Sequence, residues 1–174
     1  MAMENIQIKI KKIKIMNSYY ISLALIGQLK VIYNKNSIIE ISFISESERE
    51  EIAHNKISIE TLPAIVKELK IQLIEYIKSS RKEFQLDYQF SGTDFQQKIL
   101  KETARIPYGQ TVSYKELAEN VGSPRAWQAT GQALKKNKLP IIIPCHRVVG
   151  SRGLGGYNGG LKLKKTLLKL EGSY

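Results

Sequence analysis

The chain has 174 residues, 43% of them apolar, a formal charge of +11 and one cysteine. That length suits one domain or two small ones sharing an interface. No apolar run approaches the roughly 20 residues of a membrane span, and a lone cysteine excludes an internal disulfide, which fits a reducing cytoplasm.

The N-terminus, "MAMENIQIKIKKIKI", intersperses lysine with isoleucine instead of building an apolar signal core, so no export signal is expected. The charge is uneven. Residues 1–90 hold 13 Lys and Arg against 11 Asp and Glu, whereas residues 91–174 hold 14 against 5. A basic second half attracts polyanions, nucleic acid first, although a Lys/Ile-rich surface of thermophile type gives the same sum.

Along the first part the apolar period is mostly two. "IQIKIKKIKI" (6–15) alternates with one slip at Lys11–Lys12, and "YYISLALI", "LKVIYN" and "IIEISFI" follow, which predicts an antiparallel meander. "SESEREEIAHNKIS" (45–58) reads as a loop. From Pro63 the period lengthens, and Ile65, Leu69, Leu73 or Ile74, and Ile77 predict one buried face of a helix ending near Ser80.

After connecting chain at 81–92, Thr93 with Gln96 forms a capping-box pattern, and the helix it opens turns Phe95, Ile99 and Leu100 inward before breaking at "IPYG". Ser113 with Glu116 predicts a second capped helix over 113–120. Ser123–Pro124 predicts the start of a third, "PRAWQATGQALKK", in the cap-then-proline order. Two short helices around a tight Gly-containing turn form a helix-turn-helix pattern.

The only cysteine lies in "IIIPCHRVVG", expected as a strand over 141–144 that Pro144 ends or deforms at the thiol. An isolated cysteine is commonly an inert small hydrophobe. Beside it stands His146, an imidazole able to take the thiol proton through a water or a bent backbone. Beyond Glu119 the only acid is Glu171, in the last helical turn, where a buried partner would offset the unfavourable helix dipole. Cys145, His146 and His54 are too few for a four-ligand zinc site, so neither metal nor cofactor is expected.

"IPYGQTVSYKELA", "GSPRAWQATGQALKKN", "PIIIPCHRVV" and "GGYNGGLKLKKTLLKLEG" together resemble the O6-alkylguanine-DNA alkyltransferases, also called methylated-DNA–protein-cysteine methyltransferases, over roughly residues 92–172. The resemblance implies an α/β fold. A small N-terminal antiparallel sheet plus helix of ribonuclease H-like type (1–91) would support a mostly α-helical winged helix-turn-helix domain (92–174). It implies a single-turnover repair reaction on double-stranded DNA by a monomeric cytoplasmic protein. An alkylated guanine is flipped out through the minor groove, and its O6 alkyl group passes irreversibly to cysteine; O4-alkylthymine is a further substrate to consider.

Residue by residue, the resemblance makes Cys145 the acceptor, His146 the water-linked base and Glu171 the acid that orients it. Tyr114 becomes the proton donor to the departing guanine and a neighbour of the 3′ phosphate. Asn137 ties the helix-turn-helix to the cysteine turn, and Arg147 is a structural anchor. Gly155, Gly156, Tyr157, Asn158 and Val148 form the base pocket, with Asn158 where the family often has serine. Ser113, Tyr114, Ser123, Arg125, Ala126, Trp127, Gln128, Ala129, Gly131 and Lys135 are implied as the DNA-facing set.

In the third helix the chain departs from the family. Gln128 occupies the position of the arginine that fills the gap left by the flipped base, so Gln128, Arg125 or Trp127 must take that role. Trp127 is read here preferentially as a core plug, and Arg125 as a phosphate contact. The rival functions are a non-catalytic alkylated-base binder, a helix-turn-helix regulator sensing alkylation, and a cysteine hydrolase. The retained cysteine opposes the first, the lack of a clear dimer helix the second, and the absence of any marked oxyanion hole the third.

Overall fold

Residues 17–45, 48 and 62–174 are described by a computed structural model; the alternating stretch at 6–15, His54 and nearly all of the loop expected at 45–58 lie outside them. Strands β1 (Asn17–Leu23), β2 (Gly27–Tyr33) and β3 (Ile38–Phe43) pair antiparallel in that order. Tyr19 faces Val31 and Val31 faces Ile41, so period-two alternation puts Ile21, Leu29, Val31 and Ile41 on one buried face.

Helix α1 (Ala64–Ile77) follows Pro63 as the sequence predicts. Its buried stripe is rotated from the expected one: Val66, Leu69, Leu73 and Tyr76 are inside, while Ile65 and Ile77 are only partly covered. The rotation is fixed by polar partners. Gln72 bonds the Gln85 backbone in both directions and the Tyr76 hydroxyl reaches Glu171, so the helix turns these side chains inward.

In the second half, α2 (Asp94–Ala104) and α3 (Tyr114–Asn120) carry complete capping boxes from Thr93 with Gln96 and Ser113 with Glu116. The third helix, α4 (Trp127–Lys135), starts later than predicted. Ser123 does not cap it; the Ser123 carbonyl instead accepts from the Ala126 amide at 2.9 Å, closing a turn over Pro124 and Arg125. Strands β4 (Val112–Ser113) and β5 (Val148–Val149) pair in parallel, setting the start of α3 beside the residue that follows the cysteine turn. Helix α5 (Gly160–Leu170) closes the chain.

The strand expected at 141–144 is absent. Ile141 has φ +76°, and the Ile143 amide donates back to the Leu139 carbonyl, so the run folds into a buried turn. The two halves are joined at the sheet edge and at a ring contact. The Ile41 amide donates to the Lys138 carbonyl at 2.7 Å, and Phe43 packs on Tyr157 with ring centroids 5.8 Å apart. Among the described residues no helix is long and apolar enough to cross a membrane.

Candidate active site

Pro144 offers no amide and precedes a 3-10 turn over Cys145–Arg147. This bent backbone, instead of a strand, is what sets the cysteine and histidine directions. Asn137, just past α4, spans the turn: its Nδ2 donates to the Ile143 carbonyl at 2.9 Å and to Cys145 Sγ at 3.2 Å, while its Oδ1 accepts from the Leu139 amide at 3.0 Å. Cys145 is only 5% exposed. Burial pushes its thiol up to about 11, against the lowering effect of the Asn137 bond and the Lys164 charge. The resting sulfur is therefore a protonated thiol at neutral pH, whose proton must leave before or as the sulfur reacts.

Behind the cysteine lies a buried polar cluster centred on Glu171, the C-cap of α5. Its carboxylate accepts from Tyr76 Oη at 2.5 Å, His146 Nε2 at 2.9 Å, and Arg147 Nε and Nη2 at 2.8 and 2.9 Å. Burial opposes its charge, yet donation by His146 and Arg147 prevails and holds the carboxyl at about 2. A carboxylate only accepts, so His146 carries its proton on Nε2 and presents a bare lone pair at Nδ1. Burial also lowers the imidazole from its ordinary value, keeping it neutral at pH 7. Nδ1 has no hydrogen-bond partner among the described residues. A neutral base with a fixed tautomer thus adjoins the cysteine in sequence.

A cavity of about 300 Å³ opens between α4 and the loop 155–158, and Cys145, Tyr114 and Tyr157 all reach it. This is the lower end of the range for small-molecule sites. Tyr114 is half-buried with its hydroxyl close to the Gly155–Gly156 backbone; burial raises its pKa, so the hydroxyl is protonated at neutral pH. The close approach requires glycine at 155. That residue has φ +67°, and a Cβ there would lie 2.7 Å from the Tyr114 hydroxyl. Asn158 ties the loop to the end of α4, donating to the Lys135 carbonyl at 3.1 Å and the Asn137 carbonyl at 3.4 Å.

Residues 94–173 match the family described as 6-O-methylguanine DNA methyltransferase, DNA binding domain. The methylated-DNA–protein-cysteine methyltransferase of Methanosarcina barkeri is 40% identical over 147 residues, 84% of this chain and 91% of that protein. The chain belongs to the methylated-DNA–protein-cysteine methyltransferase family. The constitutive methylated-DNA–protein-cysteine methyltransferase of Bacillus subtilis is 49% identical over 106 residues, 60% of this chain and 64% of its own length. The crystal structure of Mycobacterium tuberculosis O6-methylguanine methyltransferase superposes with a TM-score of 0.77 at 34% identity, covering 91% of this chain and 94% of that one. The Mycobacterium tuberculosis OGT in complex with DNA gives 0.75 at 35% identity, covering 88% and 91%.

In this member of the methyltransferase family, Trp127, Gln128, Gly131 and Lys135 line the cavity from α4, and Gly155, Gly156, Tyr157 and Asn158 line it from the loop. Ser123, Arg125 and Ala126 border a separate depression beside the start of α4, Ser113 caps α3, and Ala129 is exposed outside the cavity. Val148 contributes no lining surface: it is fully buried, and its carbonyl is taken by Lys164 Nζ at 2.6 Å. Trp127 is not a core plug. It is 52% exposed, because it opens α4 and overhangs the core that Thr130, Ala133 and Leu134 enter.

Lys164 and Tyr76 were not foreseen as part of the site. Lys164 is fully buried and also donates to the Gly156 carbonyl at 3.1 Å, fastening the cavity loop to β5. Desolvation brings its amine down to about 8. The signal was present in its spacing, since Lys164, Leu167, Leu168 and Glu171 share one helical face. Tyr76, from the N-terminal half, carries no such mark.

Proposed function

We propose that this chain repairs alkylated DNA by moving an alkyl group from guanine O6 to Cys145, once per molecule. The thiol proton passes to His146 Nδ1, directly or through a water. The sulfur pair attacks the alkyl carbon in line as the carbon–O6 bond breaks, and Tyr114 donates its hydroxyl proton to the departing guanine ring. The products are a thioether and unmodified guanine, and the proton taken up by His146 returns through solvent to the Tyr114 phenolate, leaving both side chains neutral. Glu171 holds the imidazole and stabilises its charged form, and Asn137 orients the sulfur. No cofactor enters this balance.

On this reading the helices 94–135 act as a winged helix-turn-helix unit, and the N-terminal sheet and helix as a ribonuclease H-like support. A monomer binds double-stranded DNA through the minor groove with α4 and everts the alkylated base into the cavity. Basic residues of the second half meet the phosphates. The observation that carries the proposal is a cysteine reaching a base-sized cavity beside a neutral imidazole whose tautomer is set by a buried carboxylate.

The test is incubation with a duplex bearing one O6-methylguanine, followed by peptide mass analysis. The expected result is one methyl mass on the peptide containing Cys145, restored guanine, and cessation after one equivalent. Continued turnover, or methylation elsewhere, would overturn it. The same assay with O4-methylthymine reads the second substrate.

A further inference from the structure

We infer that Trp127 is the side chain that stacks on the DNA bases bordering the everted nucleotide; this rests on the function proposed above. Trp127 is the only tryptophan of the chain and is 52% exposed, among the most exposed large apolar residues described. It packs against no other aromatic ring among the described residues. It is the first residue of α4, lines the same cavity as Cys145, and is followed there by the uncharged Gln128.

Everting a base leaves its neighbours without a stacking partner, and that loss must be offset by the protein. An indole offers the largest flat surface of any side chain and stacks on every base without regard to sequence. Gln128 beside it supplies hydrogen-bonding groups but no ring and no charge. Arg125 lies in the neighbouring depression with Ser123 and Ala126, outside the cavity. Among the α4 residues at the cavity, Trp127 alone has the shape to restore stacking. The surrounding charge selects the partner, since the half of the chain that carries it holds 14 Lys and Arg against 5 acids.

Three readouts separate stacking from a structural role. In Trp127→Ala, transfer from a duplex substrate should slow by about tenfold or more, a larger factor than any loss on free O6-methylguanine base, and Trp127→Phe should recover most of the duplex rate. The salt dependence of duplex binding should keep its slope in Trp127→Ala, because no counterion-releasing charge is lost. Finally, the fluorescence of the single indole should be quenched when wild-type protein binds duplex containing the lesion. An unchanged duplex rate, an equal loss on free base, or an unquenched indole with DNA bound would overturn the assignment. Absence of transfer by the wild-type protein would instead strike the repair reaction itself, and the quenching would still decide the role of Trp127.

Discussion

Replacing Glu171 by Gln removes one charge from the buried cluster while nearly keeping its shape. The carboxyl is held at about 2 against an ordinary 4.5. At about 1.4 kcal/mol per pH unit, this amounts to about 3 kcal/mol of stability at neutral pH. The Glu171 side chain has no solvent exposure and that of Arg147 only 7%, so solvent screening takes little from this figure. Breaking a buried pair by losing one partner costs about 3–5 kcal/mol, which agrees. In Glu171→Gln the Arg147 guanidinium keeps the Ile106 carbonyl at 2.6 Å but loses its two-pronged anionic partner.

Urea unfolding of the two proteins at pH 7 should therefore differ by about 3 kcal/mol. The sign of the pH dependence follows from the folded value lying below the unfolded one. The carboxylate's contribution is complete above 4.5 and is lost as pH falls from 4.5 toward about 2. Glutamine does not titrate, so the gap between the proteins should close across that window. A gap under about 1 kcal/mol at pH 7, or one that stays constant into acid, would refute the cluster as an electrostatic unit. Tyr76→Phe is the comparison, since it deletes one donor to the carboxylate but leaves the Arg147 pair, and it should cost about 1.5–3 kcal/mol.

Tyr114→Phe should slow alkyl transfer in a single-turnover assay while leaving most duplex affinity in a gel-shift titration; equal rates would remove the proton-donor role. Gly155→Ala adds a Cβ 2.7 Å from the Tyr114 hydroxyl at a φ of +67°, so thermal unfolding should show a loss of about 1–3 kcal/mol together with slower transfer. An unaltered melting temperature in that variant would mean that Tyr114 does not press on the loop.

What the sequence made legible was mainly local. The boxes at Thr93–Gln96 and Ser113–Glu116 are closed within four residues, so their caps needed no tertiary information, and the meander followed from alternation bounded by Gly27. Glu171 was reached by elimination among acids, and its burial beside His146 is a structural fact the spacing alone did not give. The misread features depend on long-range packing. Tyr76 reaches Glu171 from 95 positions away in the chain, and no periodicity encodes that contact. The run 141–144 has strand composition, yet Ile141 adopts a left-handed conformation because the turn is enclosed on all sides. Trp127 falls at helical spacing from the buried Thr130 and Leu134, yet it stands outside the core because it is the first residue of α4.

The resting thiol bears on how a protein that reacts once protects its reactive atom. Burial raises the Cys145 thiol to about 11 and lowers the His146 imidazole from its ordinary value, so both shifts oppose moving the proton from sulfur to imidazole. The thiolate–imidazolium pair is then a rare state at rest, and sulfur becomes strongly nucleophilic only as its electron pair is drawn to the alkyl carbon. Such a thiol should be spared by general electrophiles and oxidants, which attack the thiolate. Iodoacetamide at pH 7 should modify Cys145 far more slowly than a free cysteine in urea-unfolded protein, with the rate climbing until about pH 11. Modification at pH 7 as fast as in the unfolded chain, or a rate plateau near pH 7, would show a standing thiolate and contradict the buried-thiol account.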